Sequence, residues 1–364
     1  MAFDTINHNL LLAKMKAYGL SQNALNVIQS MVKDRPHRVK INGITSDWDF
    51  SYIGIPQGSK LGPLIFNIFV QDIVFILDKC GKELYADDTT IYVRDNNPMV
   101  LEHKVNLLLE KMNKWYRENK LTLNPLKTQM MVLGNSFKYS FRITLDGVIV
   151  SELDCLKILG VYIDNKLTYK QHIAHVKKSI NLKLMALRRV RRFLTEDILV
   201  KMYQMFIIPY FDYCSLLFLG IGKSERKKLE KLNHHCIKSL FKLSKTTNYD
   251  VCLCKVQVST LEETRCNRAA IMIFNMFNNR VPNYIKDMFP LRTGVYNLRM
   301  NGKKIEHVRP RTHILANSFK CLSIKIWEKC YYLTFDIVSV KAFKKRLKNV
   351  NLTNDNTCNC FICN

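Results

Sequence analysis

Two spacings of apolar residues divide this 364-residue chain and limit what it can fold into. Up to about residue 166, short runs of period two alternate with the turn pairs Asn42-Gly43, Asp87-Asp88 and Asp146-Gly147. Beyond Tyr169, apolar residues recur at helical spacing. The first pattern folds as antiparallel hairpins, the second as helices with one buried face. Amphipathic stretches at 8–18, 21–33, 61–78 and 101–119 interrupt the hairpins, so the first part is expected to be α+β. Asp4 and Ser21 are placed to cap the first two of these helices, and Gly19 to end the first. The expected strands are 38–42 with 47–55, 83–86 with 89–94 across Asp87-Asp88, then 129–133, 141–145 with 148–150, and 156–163. In the remainder, helices are expected at 169–193, 195–211, 223–243, 260–278, 317–327 and 340–350. The basic, weakly patterned segment 290–311 reads as a long loop.

The charge divides in the same way. Residues 1–166 carry 20 Lys and Arg against 17 Asp and Glu, and residues 167–364 carry 36 against 13. A net charge of +26 gathered on one side fits binding to a polyanion, with solvated lysine-rich helix faces as the plainer reading. Disorder is excluded, because 48% hydrophobic and 10% aromatic content is enough to build cores. The most apolar segments, 64–77 and 205–219, are too short and too polar to span a bilayer, so no membrane association is expected. Residues 1–12 have no secretory character, so the twelve cysteines read as reduced thiols in an intracellular protein of cytoplasm or nucleus.

The sharpest local feature is Tyr85-Ala86-Asp87-Asp88. Adjacent acids on a tight turn repel each other unless a cation sits there. Magnesium takes carboxylate oxygens and keeps phosphates in its shell, so such a turn suits phosphoryl transfer. Upstream, small residues at Gly54-Ile55-Pro56-Gln57-Gly58-Ser59 let backbone approach a ligand, and Gln57 offers an amide. Downstream, Lys127 is a cation able to neutralise a leaving pyrophosphate.

Taken in order, Gly54-Ile55-Pro56-Gln57-Gly58-Ser59, Tyr85-Ala86-Asp87-Asp88, Asn119-Lys120-Leu121 with Asn124 and Lys127-Thr128, and Leu159-Gly160-Val161-Tyr162-Ile163-Asp164 resemble motifs B to E of reverse transcriptases. The form is that of non-LTR (LINE-type, jockey-like) retrotransposons. Ala2-Phe3-Asp4-Thr5-Ile6-Asn7-His8 resembles the end of motif A, and Arg265-Cys266-Asn267-Arg268-Ala269-Ala270 a stretch of the helical region beyond. The resemblance implies an incomplete polymerase palm of antiparallel sheet and helices at 1–166. A thumb-like helical region at 167–250, a C-terminal helical region at 251–350 and a polar tail at 351–364 would follow. It implies RNA-directed DNA synthesis with Mg²⁺ or Mn²⁺, an RNA template, a DNA primer and deoxynucleoside triphosphates. Asp87 and Asp88 would be metal ligands, with Lys127 beside the leaving group. Phe3, Gln57 and Gly58 would line the nucleotide pocket, and Leu159, Gly160, Val161 and Tyr162 would form the primer grip. Lys177, Lys178, Arg188, Arg189, Arg191 and Arg192 would follow the duplex backbone.

One departure matters. The motif A aspartate of the family lies six residues before the position of Asp4, which would place it ahead of Met1. The chain is therefore expected to lack that ligand, the fingers and the first palm strand, and to polymerise no DNA alone. A non-catalytic nucleic-acid-binding remnant is the alternative. Asp4 is not expected to replace the ligand, and His8 reads as structural. Cys358, Cys360 and Cys363 have a metal-like spacing but are one ligand short of a closed zinc site, which Cys252, Cys254 or His307 would have to complete.

Overall fold

The structure, a computed structural model, describes residues 2–78, 80–134, 139–292, 304–334, 337–350 and 352–353. The chain divides into two compact units, Met1–Asp154 and Cys155–Asn364. Helices and small, mostly antiparallel sheets give an α+β chain, as expected.

The first unit opens with α1 (His8–Ala17) and α2 (Gln22–Val32). Ser21 caps α2 through its hydroxyl. The cap of α1 is Asn7, whose side chain accepts from Leu10 N at 3.0 Å, and not Asp4 as expected. A twisted hairpin follows, β1 (Arg35–His37) paired with β4 (Asp49–Ser51) and β2 (Lys40–Ile41) with β3 (Ile44–Thr45), closed by Asn42-Gly43 with both residues at positive φ. It begins three residues earlier than the apolar pattern indicates, because Pro36 opposite Phe50 extends the pairing.

The single helix expected over 61–78 is two, α3 (Gly62–Val70) and α4 (Ile73–Ile76). Lys14 explains the break. Its ammonium takes the Phe69 carbonyl, which a continuous helix would give to the Ile73 N–H, and also binds Asp72, both at 2.8 Å. The same ammonium lies 4.7 Å from the Phe69 ring centre and 4.9 Å from that of Trp115, and burial lowers its pKa against the pull of Asp72.

Then come β5 (Gly81–Tyr85), β6 (Asp88–Tyr92) and the long α5 (Pro98–Glu118). Short strands β7 (Gln129–Met130), β8 (Thr144–Leu145), β9 (Val148–Ile149) and β10 (Ser151–Glu152) complete the unit; β7 pairs with β10 in parallel, and β8 with β9 across Asp146-Gly147. One apolar cluster joins Leu11 and Met15 of α1, Phe66 and Phe69 of α3, and Met112 and Trp115 of α5. Burying each such side chain contributes about 1.5–3 kcal/mol.

The second unit begins with β11 (Cys155–Ile158) and β12 (Val161–Asp164), a hairpin where one strand was expected. The positive φ of Leu159 and Gly160 makes the turn, and only glycine accepts the second of these without strain. The rest is helical. α6 (Lys170–Val190) is followed by α7 (Glu196–Phe206) and α8 (Ile208–Asp212), one helix in expectation but broken ahead of Pro209. α9 (Lys223–Phe241) matches its spacing, and α10 (Tyr249–Val256) escaped detection because eight residues carry too little periodicity. α11 (Leu261–Phe277) starts at a capping box of Thr260 and Glu263, followed by α12 (Asn283–Asp287), α13 (His313–Ala316), α14 (Phe319–Glu328) and α15 (Val340–Leu347).

Two apolar cores hold these helices, one gathering side chains of α6, α7, α9 and α10, the other those of α11, α14 and α15. A buried polar relay ties the first together: Tyr203 donates to the Asn233 carbonyl, Asn233 donates to Tyr249 at 2.8 Å, and Tyr249 donates to Glu230 at 2.6 Å. Among the described residues no helix is long and apolar enough to cross a membrane.

Candidate active site

The acidic turn is built by its strands. Cross-strand pairing of Tyr85 with Asp88 leaves Ala86-Asp87 as the two-residue turn, with Asp88 already inside β6. The expected turn, Asp87-Asp88, is displaced by one residue, because Ala86 takes the positive φ of +51° that glycine usually supplies. Strand alternation then sorts the side chains. Leu84 and Ile91 turn to the core, while Tyr85, Asp88 and Tyr92 share the opposite, exposed face. The ring of Tyr92 lies over Gly81, its cross-strand partner, where any Cβ would collide with it. Asp87 and Asp88 are both exposed. Tyr116 of α5 backs the turn through a hydrogen bond with Thr89, and burial raises its phenol pKa, with the Asp87 charge adding to the rise.

The glutamine loop is held from the chain's opening residues. Ile55 N donates to Phe3 O and Gly54 N to Ile6 O, each at 2.8 Å. His8, 4% exposed, has Nε2 2.7 Å from the Gly54 carbonyl, a structural role as expected. A Cβ on Gly54 would stand 2.9 Å from the Asp4 backbone. Asp4 accepts from the Gln57 amide at 2.7 Å, which aims that side chain. Phe3 is half-buried and stacked on Phe66 at 4.4 Å between ring centres. Gly58, at φ +82°, faces open space.

Asn119, Lys120 and Leu121 end α5. Asn119 caps it, Lys120 takes the left-handed conformation and Leu121 N returns to Tyr116 O at 2.8 Å. Lys127 is exposed on a turn organised by Asn124, whose side chain accepts from Leu126 N at 3.0 Å. What joins these groups is a shared core: Leu84 and Ile91 flank the acidic turn, Ile55 precedes Gln57, Leu123 precedes Lys127, and all four pack on one cluster.

In the second unit, the Leu159-Gly160 turn is clasped by Tyr213, whose hydroxyl donates to Leu159 O at 2.5 Å. Val161 is buried, while Tyr162 packs on His175 and His172. His172 Nδ1 accepts from Tyr162 N at 3.3 Å, which requires the neutral ring; burial and His175 lower its pKa accordingly. Asp164 sets the entry into α6. Burial raises its pKa, but hydrogen bonds from Thr168 N, Tyr169 N, the Thr168 hydroxyl and Lys166 N outweigh that and leave it below the usual carboxylate range. Sequence reasoning placed Asp164 in a motif and missed this capping role, which the run Asp164, Thr168, Tyr169 could have suggested.

On α6, at about 100° per residue, Lys177, Lys178, Arg188 and Arg189 fall on one face of roughly 120°. All four are exposed, with exposed Leu182 and Met185 between them. No Asp or Glu occurs between Asn165 and Thr195. Arg191 is half-buried and donates to the Ser239 carbonyl, and Arg192 lies on the Phe193 ring. Cys358, Cys360 and Cys363 lie outside the described residues. Cys252 is fully buried and His307 pairs with Glu328. Among the described residues no group of three or more His, Cys, Asp or Glu is placed to hold a metal ion.

Residues 1–163 match the family described as reverse transcriptase (RNA-dependent DNA polymerase). The chain is 28% identical over 254 residues to an RNA-directed DNA polymerase from mobile element jockey of Drosophila funebris, covering 67% of this chain and 27% of that protein. It is 25% identical over 241 residues to the jockey polymerase of Drosophila melanogaster, covering 64% of this chain and 26% of that protein. A probable RNA-directed DNA polymerase from transposon BS of the same fly is 25% identical over 251 residues, 66% of this chain and 28% of that protein. The chain thus spans about a quarter of the length of these relatives, and the similarity runs past the family match into the helical unit. The ordered motifs, the exposed acidic hairpin turn and these relatives agree: residues 1–163 carry a reverse transcriptase domain, and the chain is similar to the RNA-directed DNA polymerases of non-LTR retrotransposons.

Proposed function

We propose that the chain is the part of an RNA-directed DNA polymerase that carries the acidic catalytic turn, the nucleotide-lining loop and the duplex-tracking helix. The observation that carries this reading is the placement of Asp87 and Asp88, side by side and exposed, on a turn stiffened by its own strand pairing. Their oxygens suit one hydrated divalent cation, Mg²⁺ or Mn²⁺, which would neutralise charge developing on the α-phosphate. Two ions held about 4 Å apart need a further bridging carboxylate, which the described residues do not place there. Asp4 is engaged by Gln57.

In this reading the residues take the parts that the resemblance implies. Gln57, aimed by Asp4, and the open backbone at Gly58 line the incoming nucleotide, and Phe3 is braced by Phe66 to crowd a ribose 2′-hydroxyl. Lys127 neutralises the departing pyrophosphate. The turn at Leu159, Gly160, Val161 and Tyr162, clasped by Tyr213, holds the primer strand. Lys177, Lys178, Arg188, Arg189 and Arg192 contact template–primer phosphates. The reaction is attack of a primer 3′-hydroxyl on the nucleotide α-phosphate, with the P–O bond to pyrophosphate breaking.

The incomplete ligand set favours a second reading, in which the 364-residue polypeptide by itself only binds nucleic acid. Primer extension separates the two. The polypeptide alone, with an RNA template, a DNA primer and Mg²⁺, is expected to give no templated product. Joining it to the preceding reverse-transcriptase segment of a jockey relative is expected to restore synthesis, and Asp87→Asn to abolish it again. Synthesis by the polypeptide alone overturns the ligand argument, and an active Asp87→Asn chimera overturns the catalytic assignment.

A further inference from the structure

The segment 290–311 has no part in the reading above. Its sequence carries Arg292, Arg299, Lys303, Lys304, Arg309 and Arg311 against Glu306. The described ends of this segment meet. Leu291 and Ile305 form an antiparallel bridge, and Arg292 N donates to Lys304 O at 3.0 Å. That pairing sets two cations in the lining of a cleft of about 150 Å³. Trp327, 1% exposed and stacked on Phe277, lies in its wall. Tyr331 lines it, with Lys304 Nζ 5.8 Å from the ring centre. The lining acid, Glu328, is already bound to His307 at 2.5 Å. Beside Tyr331 stands Tyr332, 47% exposed, its ring roughly perpendicular and 6.4 Å away.

Like charges set together across a bridge repel, so this arrangement favours an anion between them. The cleft holds about five waters' worth of liquid, enough for a phosphate with some of its hydration. Cations beside an exposed aromatic face are what single-stranded nucleic acid uses, with the phosphate in the cleft and the adjoining base stacked. An intact duplex keeps its bases stacked on one another and cannot offer one to Tyr332.

We propose that Arg292 and Lys304 form a phosphate site for single-stranded nucleic acid, with Tyr332 stacking the neighbouring base. The site is distinct from the duplex-tracking face of α6 and needs no polymerase activity. It would hold the unpaired template beside the helical unit.

The test uses the 364-residue chain and fluorescence anisotropy with two probes, a labelled 12-nucleotide oligouridylate and an RNA–DNA hybrid of equal length. Arg292→Ala/Lys304→Ala is expected to weaken single-strand binding about tenfold and to flatten its salt dependence by roughly 1.4 in log–log slope, at about 0.7 per phosphate contact. Hybrid binding should stay within about twofold. Tyr332→Ala should weaken single-strand binding about tenfold with its salt slope unchanged. Lys178→Ala/Arg189→Ala should do the reverse, weakening the hybrid alone, so failure of the α6 assignment is read separately. Should the double alanine variant melt early, the charge-keeping Arg292→Lys is compared with Arg292→Glu, and only the latter is expected to lose binding. Equal losses on both probes, or no loss on the single strand, overturn the proposal. So does displacement of the oligouridylate by uridine monophosphate or inorganic phosphate at the oligonucleotide's own concentration, which marks a small-anion site.

Discussion

Gly54 sits where the chain's opening residues cross the glutamine loop, at φ +84° and with the Asp4 backbone where a side chain would be. Gly54→Ala combines left-handed strain with a contact that backbone cannot relieve, and is predicted to destabilise the first unit by about 2 kcal/mol or more, read by urea unfolding. His172 offers a second residue-scale prediction. Its pKa is lowered in the folded protein, so the unfolded chain takes up the proton more readily. Its contribution to stability is present above the ordinary histidine range, about 6.5, and is lost as pH falls below it. His172→Gln should therefore flatten the fall of Tm between pH 8 and 5.5. An unchanged profile would remove His172 from the joint between β12 and α6. Asp164 has the same sign for a different reason: its hydrogen bonds favour the carboxylate, so its support is present above about pH 3.9 and fades in stronger acid. At this scale the sequence showed which residues belong to motifs, but not what holds them. Nothing in the residue string says that Asp4 would turn to Gln57 while Asn7 caps α1.

Among the elements, the acidic hairpin and α6 carry the account. Ala86 pays for its left-handed backbone, and Ala86→Gly is predicted to raise stability by up to about 1 kcal/mol while loosening the turn. Thermal melting checks the first effect. A rise in Tm accompanied by lost activity in the chimera would show that the strain fixes the acids. Helix α6 was legible almost to the residue, because its buried residues repeat at strict helical spacing and acids are absent. Where elements were misplaced, a tertiary contact or a local backbone break decided. Lys14 splits α3 from α4, Pro209 separates α8 from α7, and Leu159-Gly160 folds what looked like one strand into two. Replacing the basic face, as Lys177→Ala/Arg188→Ala, is predicted to weaken duplex binding about tenfold and to reduce its log–log salt slope by roughly 1.8. An unchanged slope would return those residues to an ordinary solvated face.

For the whole molecule, the division seen in charge is also structural, with the nearly neutral part falling mostly in the first unit and the strongly basic part in the second. The ordered motifs pointed from sequence to the family that residues 1–163 match, because each couples a backbone requirement to a chemical group within a few residues. The cleft at Arg292 and Lys304 was not legible, since its residues are distant in sequence from Trp327 and Tyr331 and meet only through folding. The central claim is that Asp87 and Asp88 form a divalent-cation site on a protein whose net charge of +26 otherwise repels cations. Mn²⁺ titration of the 364-residue chain followed by electron paramagnetic resonance tests it directly. The account predicts about one bound ion per chain, lost in Asp87→Asn/Asp88→Asn, whereas binding that survives this double substitution would contradict it.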